Sequence, residues 1–380
     1  MRRTTDTFTR RATGALAALG IAAATIAIGS SSTASAGVEP GSSTCFPSGV
    51  PLGAGMVVNG TAARAVDRGF LNFYAPIDGV DPTANSSVNY EVGPAVANSV
   101  VVPVFAPDGQ VCAYSSAGVD VIADVAGYID PEVLLTFDDG AAFRVLDSRD
   151  VRKFDAGETF CFAPASNSEV GQPIIANLTI AAPEASGFAN LYPKGAVPDA
   201  TSAINFVANR NIANGLTVTA GLDGEICAFT SVRAHVIVDV VGGVMSDRYR
   251  PAQPDNSPVR AVDTRNFSPF VAGETRCFRL DSNPGEAVVL NVTSVRSAGP
   301  GFLNVFSPDA TDPDGNSSVN FQAGANFANG LIVPGGFEGD TCVFASESTD
   351  VIIDVSGFFT PGTFFPVSDD GSADRVLDTR

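Results

Sequence analysis

The sequence predicts an all-β fold: three tandem antiparallel β-sandwich-like modules, each carrying one disulfide. Three observations predict it. Residue markers recur at a period of 115 to 116, short apolar runs are cut by Gly, Pro, Asn and Asp, and each period carries one pair of cysteines.

The period is read from independent residues. Cys45, Cys161 and Cys277 are spaced by 116 and 116, and Cys112, Cys227 and Cys342 by 115 and 115. Asn89, Asn205 and Asn320 sit in VNY, INF and VNF, while Asn98, Asn214 and Asn329 each follow Ala. Asp124, Asp239 and Asp354 lie in ADVAG, VDVVG and IDVSG. The boundaries that follow are a leader at 1–36, modules at 37–136, 137–250 and 251–362, and an extension at 363–380 that carries an extra first-strand motif.

Within a module the elements read as strands. In the third copy the runs 287–292, 302–306, 318–321, 331–333, 341–344 and 351–355 are apolar or alternating, with turn-rich clusters between them. No segment keeps a helical period. The runs 121–125, 235–241 and 351–355 are nearly all apolar, as central strands buried on both faces would be. One Cys opens a CF dipeptide near the start of each copy and another lies near the strand before the last. The expected bridges are therefore Cys45–Cys112, Cys161–Cys227 and Cys277–Cys342, each contributing up to ~4 kcal/mol by loop-closure entropy.

The N-terminus reads as an export signal. Arg2, Arg3, Arg10 and Arg11 form a basic head, residues 15–29 an apolar run too short and Ala-rich for a span, and Ala34-Ser35-Ala36 a cleavage pattern. Its removal leaves 18 basic against 40 acidic residues. A secreted protein, extracellular or at the cell surface, is expected, with no membrane association after cleavage. The formal charge of the whole chain, −19, argues against nucleic-acid partners. One His and no Trp leave little material for His-based catalysis, so no enzyme is expected.

RVLDSR at 144–149, RAVDTR at 260–265 and RVLDTR at 375–380 are followed in copies two and three by NLT or NVT and then INF or VNF, and the copies close on DVAGY or DVSGF. The repeat resembles a module of secreted proteins from actinobacteria and other environmental bacteria. The resemblance spans essentially the mature chain and implies an extracellular β-rich module with no activity attached. Copy two departs at its closer, Val241-Gly242-Gly243, and copy one has no arginine segment before Cys45.

An extra segment instead stands at the far end: Arg375, Val376, Leu377, Asp378 and Arg380. Three arrangements follow. The segment closes the module before it, giving beads; it completes the first module of a second molecule, giving a head-to-tail homopolymer; or it closes on its own first module. A sheet lacking a strand exposes a ladder edge that invites strand addition, which favours the homopolymer. Asp124, Asp239 and Asp354 sit inside apolar strands and need partners. The pairs expected are Asp239–Arg149, Asp354–Arg265 and, between molecules, Asp124–Arg380. The competing arrangement pairs Asp147, Asp263 and Asp378 with those arginines two residues on.

The remaining candidates are weaker. His235 stands where the sister copies have Asp120 and Asp350, and reads as a strand-opening residue. The Asp-rich stretch 309–316, with Asp199 in copy two and Asp78 and Asp81 in copy one, reads as a solvated turn, with weak calcium binding the alternative to having no cofactor. Asn59, Asn177 and Asn291 begin N-x-T triplets and are expected to bond neighbouring loops, as are the Asn of VNF and AN. Phe70, Phe73, Tyr74, Phe188, Tyr192, Phe302 and Phe306 read as core. Metal is not expected at the cysteines, which lack CxxC spacing. The function expected is a secreted structural protein, a protomer of a filament or matrix joined by strand donation to module one. The alternative is a monomeric adhesin or carbohydrate-binding repeat protein with a polysaccharide partner.

Overall fold

The structure, a computed structural model, describes residues 37–136, 141–198, 201–336 and 338–380. The expected leader at 1–36 and Asp199 lie outside the described residues.

The first copy contributes β1 (Ser42–Pro47), β2 (Gly55–Ala63), β3 (Gly69–Tyr74), β4 (Val88–Tyr90), β5 (Val96–Pro103), β6 (Gln110–Ser115) and β7 (Asp120–Ile129). The second contributes β8 (Leu134–Thr136), β9 (Phe143–Asp147), β10 (Thr159–Phe162), β11 (Pro173–Ala181), β12 (Gly187–Pro193), β13 (Ile204–Phe206), β14 (Ile212–Thr219), β15 (Ile226–Thr230) and β16 (His235–Val244). The third contributes β17 (Tyr249–Pro251), β18 (Val259–Asp263), β19 (Glu274–Arg279), β20 (Ala287–Val295), β21 (Gly301–Phe306), β22 (Val319–Phe321), β23 (Phe327–Pro334), β24 (Asp340–Ala345) and β25 (Asp350–Phe359). The tail adds β26 (Phe364–Pro366) and β27 (Asp374–Asp378). All six runs expected in the third copy are strands.

Each repeat builds two antiparallel sheets. The four-stranded sheets run β1-β6-β3-β4, β10-β15-β12-β13 and β19-β24-β21-β22. The five-stranded sheets run β26-β7-β2-β5, β8-β16-β11-β14 and β17-β25-β20-β23. In these, β27, β9 and β18 respectively also pair with β7, β16 and β25. The six sheets form a six-bladed β-propeller, which corrects the expectation of three tandem sandwich-like modules.

The physical reason for the correction lies in the second face of the five-stranded sheets. One face of the first packs on its own repeat, with Met56 and Val58 against Leu71, Phe73 and Val111. The other face joins the neighbouring repeats, where Val57 and Val101 share one cluster with Ile175, Val241, Val289, Ile332 and Phe359. Free-standing sandwiches would leave that face to water; burying each Val or Ile there is worth roughly 1.5–3 kcal/mol. β11 and β20 are accordingly buried at every position.

The three disulfides link the expected pairs, Cys45–Cys112, Cys161–Cys227 and Cys277–Cys342. In each the cysteines face one another across neighbouring strands.

The tail occupies the place left empty at the start of copy one. β27 pairs with β7 as β9 pairs with β16 and β18 with β25. In this structure the donor strand belongs to the same chain.

Candidate functional site

Three equivalent junctions between repeats gather the polar residues that recur through the chain. Each begins with an aspartate in the long closing strand. Asp124, Asp239 and Asp354 are 2%, 1% and 2% exposed and sit opposite Arg375, Arg144 and Arg260. Each guanidinium binds both carboxylate oxygens: Arg144 at 2.8 and 3.1 Å, Arg260 at 2.9 and 3.1 Å, and Arg375 at 2.8 and 3.2 Å. This planar fork is the geometry that keeps a buried carboxylate satisfied.

The expected partners were the last arginines of the segments, and the structure corrects that. Asp239–Arg149, Asp354–Arg265 and Asp124–Arg380 do not form. Arg149, Arg265 and Arg380 pair locally with Asp147, Asp263 and Asp378. The cause is a change of backbone inside the segment. In the two internal segments Asp147 and Asp263 cap short 3-10 turns, accepting from the backbone N–H of Arg149 and Arg265. The strand therefore stops before the last arginine, and alternation no longer applies to it. The Ser or Thr between Asp and Arg is buried and receives a backbone bond: Val236 N–H donates to Ser148 Oγ, Val351 N–H to Thr264 Oγ1 and Val121 N–H to Thr379 Oγ1.

Two of the three incoming segments are also held by the repeat before them. Asn85 donates to the Ala142 carbonyl at 2.6 Å and accepts from Arg144. Asn316 donates to the Ala373 carbonyl at 2.7 Å and accepts from Arg375. Copy two carries Thr201 at this position.

The asparagines complete the junctions. Asn98, Asn214 and Asn329 are 1%, 0% and 0% exposed. The carbonyl oxygen of each accepts the backbone N–H of the next repeat: Gly215 to Asn98 at 2.7 Å, Gly330 to Asn214 at 2.9 Å and Ser99 to Asn329 at 2.9 Å. The amide of each donates to an asparagine of the next repeat, Asn177, Asn291 and Asn59 respectively. Those three in turn donate backwards to the carbonyls of Ser86, Ser202 and Ser317. The cycle runs from copy one to two, two to three and three to one. Sequence reasoning expected Asn59, Asn177 and Asn291 to bond neighbouring loops, and those loops belong to other repeats. It expected the same of Asn98, Asn214 and Asn329, whose amides do reach the carbonyls of Ser87, Ala203 and Ser318, but it did not foresee that they also join repeats. Their signal was a buried amide in an apolar strand with no partner of its own sheet.

The other candidates are placed as follows. The imidazole of His235 lies 3.2 Å from Ser148 Oγ. Of the aromatic residues Phe73, Tyr192 and Phe306 are buried, as expected, whereas Phe70–Tyr114, Phe188–Phe229 and Phe302–Phe344 form equivalent tilted pairs. Beside them Asn72, Asn190 and Asn304 donate to loop carbonyls of their own repeats. Among the described residues no group of three or more His, Cys, Asp or Glu could hold a metal ion. No helix there is long and apolar enough to cross a membrane.

Burial pushes the carboxyls of Asp124, Asp239 and Asp354 above the ordinary aspartate value of 3.8, against the pull of their arginines. The hydrogen-bonded arginine beside each of Asp147, Asp263 and Asp378 holds those carboxyls below it. The first group contributes stability that is present below 3.8 and lost as pH rises through the raised values; the second contributes stability present above 3.8 and lost as pH falls through the lowered ones. Neither set loses stability on mild acidification. The melting temperature should hold or rise from about pH 7 to about pH 5 and fall only in stronger acid. Calorimetry across pH checks this; a steep loss between about pH 7 and about pH 5 would contradict it.

No family model and no curated protein matches the chain. Among solved structures, the crystal structure of YhhW from Escherichia coli aligns over 64% of this chain and 81% of that one, at 8% identity and a TM-score of 0.19. That is too low for fold or function to be read across.

Proposed function

We propose that the protein is a secreted, non-enzymatic structural unit, one chain closed on itself, for an extracellular matrix or cell surface. The observation that carries this is the equivalence of the closing junction to the two internal ones. Asn329, Asn59, Ser99 and the Ser317 carbonyl repeat, bond for bond, what Asn98, Asn177, Gly215 and the Ser86 carbonyl do. Three disulfides and the buried junctions suit a particle that must last in an oxidising medium. A second reading, an adhesin or carbohydrate-binding repeat protein, draws on the three aromatic pairs. The asparagines beside those pairs spend their donors within their own repeats, which favours the first reading.

Sedimentation of the mature chain tests the proposal. A single species at the mass of one chain is expected over a wide concentration range. Mass that grows with concentration would count against it.

A further inference from the structure

We propose that the edge of β7 is an exchange site: it holds the chain's own tail and accepts, in its place, the tail of a second copy. The inference rests on the closed-unit reading and names the partner of its closing junction.

Loop-closure cost singles out this junction. Arg144 and Arg260 lie 95 and 94 residues from the aspartates they bind, whereas Arg375 lies 251 residues from Asp124. Closure cost rises with loop length, so this junction is the least favoured of the three when one chain first folds. A second copy competes best where the intramolecular advantage is smallest.

The strand itself is lightly held. No residue of β27 is fully buried, and its register on β7 is interrupted between Arg375 and Leu377. Val376 and Leu377 are only partly buried against the core of copy one. With β26 also released, residues 360–373 tether β27 to β25. Fourteen extended residues reach at most roughly 50 Å, enough to enter a neighbouring particle.

The slot is selective for this segment. Both oxygens of Asp124 accept from Arg375, at 2.8 and 3.2 Å, so an occupant that brings a guanidinium to that position is matched by a planar, two-bond contact. Asn316 adds a donor for the backbone two residues before that arginine, at the Ala373 carbonyl. A second copy carries both features in its own tail, and strand exchange between identical chains needs no new interface.

Two full-length variants test this as a complementary pair. Asp124→Ala has a tail with no acceptor, and Arg375→Ala has an acceptor with a poor tail. Each alone should sediment at the mass of one chain; mixed, they should shift to a two-chain species. If both are folded by near-UV circular dichroism and remain single when mixed, the proposal is overturned. Should either fail to fold, a fluorescent peptide of residues 363–380 replaces the pair. It should incorporate into the wild-type chain, and an Arg375→Ala peptide should not. Equal incorporation of both peptides, or of neither, overturns the proposal. Wild-type chains that sediment above one-chain mass would instead fail the closed-unit reading.

Discussion

Gly215→Ala should lower the melting temperature by about 6 °C or more, corresponding to a loss of at least about 3 kcal/mol. In an ordinary strand the same change stabilises, because glycine gives up more backbone freedom on folding. Here the sign reverses. A Cβ on Gly215 would stand 1.9 Å from the carbonyl oxygen of Ser99, and one on Gly330 2.1 Å from that of Gly215. Both neighbours are backbone, held by the asparagine cycle, and neither can swing aside as a flexible side chain would. The third position, Ser99, already carries a side chain, so the close approach is confined to two of the three. Thermal melts of Gly215→Ala and Gly330→Ala check this. A melting temperature equal to or above that of the parent would show that the repeats do not meet there as closely as described.

Asn329→Ala should cost about 3–6 kcal/mol. Three buried groups lose their partner: the N–H of Ser99, Oδ1 of Asn59 and the carbonyl of Ser318, at 2.9, 2.9 and 2.6 Å. Each orphaned buried group costs about 1–3 kcal/mol, and alanine leaves a small void besides. Asn98→Ala and Asn214→Ala should cost similar amounts, because their bonds are the same in kind. Denaturant titration of the three variants measures this directly. A loss under about 1 kcal/mol for Asn329→Ala, beside full losses at the other two, would mean that the closing junction is not made in solution.

Much of this architecture could be read from the residues. The period, the strands of each copy and the cysteine pairs follow from spacing and pattern alone. The count of sheets did not follow. A period of about 115 residues marks repeats, and each repeat folds as two sheets. The near-continuous apolar character of 121–125 and 351–355 did signal strands covered on both sides, but not that the second cover comes from another repeat. The aspartates of those strands pointed to arginine, and the segment that supplies it was visible. Which arginine was not: the local Asp147–Arg149 pair that alternation offered as the competing arrangement does form, and Asp239 is left to Arg144. The turn capped by Asp147 ends the strand first, and a register shift at Asp239 brings Arg144 opposite the carboxylate. Asn98, Asn214 and Asn329 stood out as a recurring AN, yet nothing local reveals a partner more than 100 positions away.

Because Gly215, Gly330 and Ser99 each lean on the preceding copy in an order that returns to its start, the number of copies is not free to drift. An open solenoid can gain or lose a unit at its end and bury the new one as it buried the old. Here a fourth unit would find no unclaimed neighbour, and a loss would strand two. A duplicated copy would therefore lie outside the cycle, while changes in the turns and outer strands leave it intact.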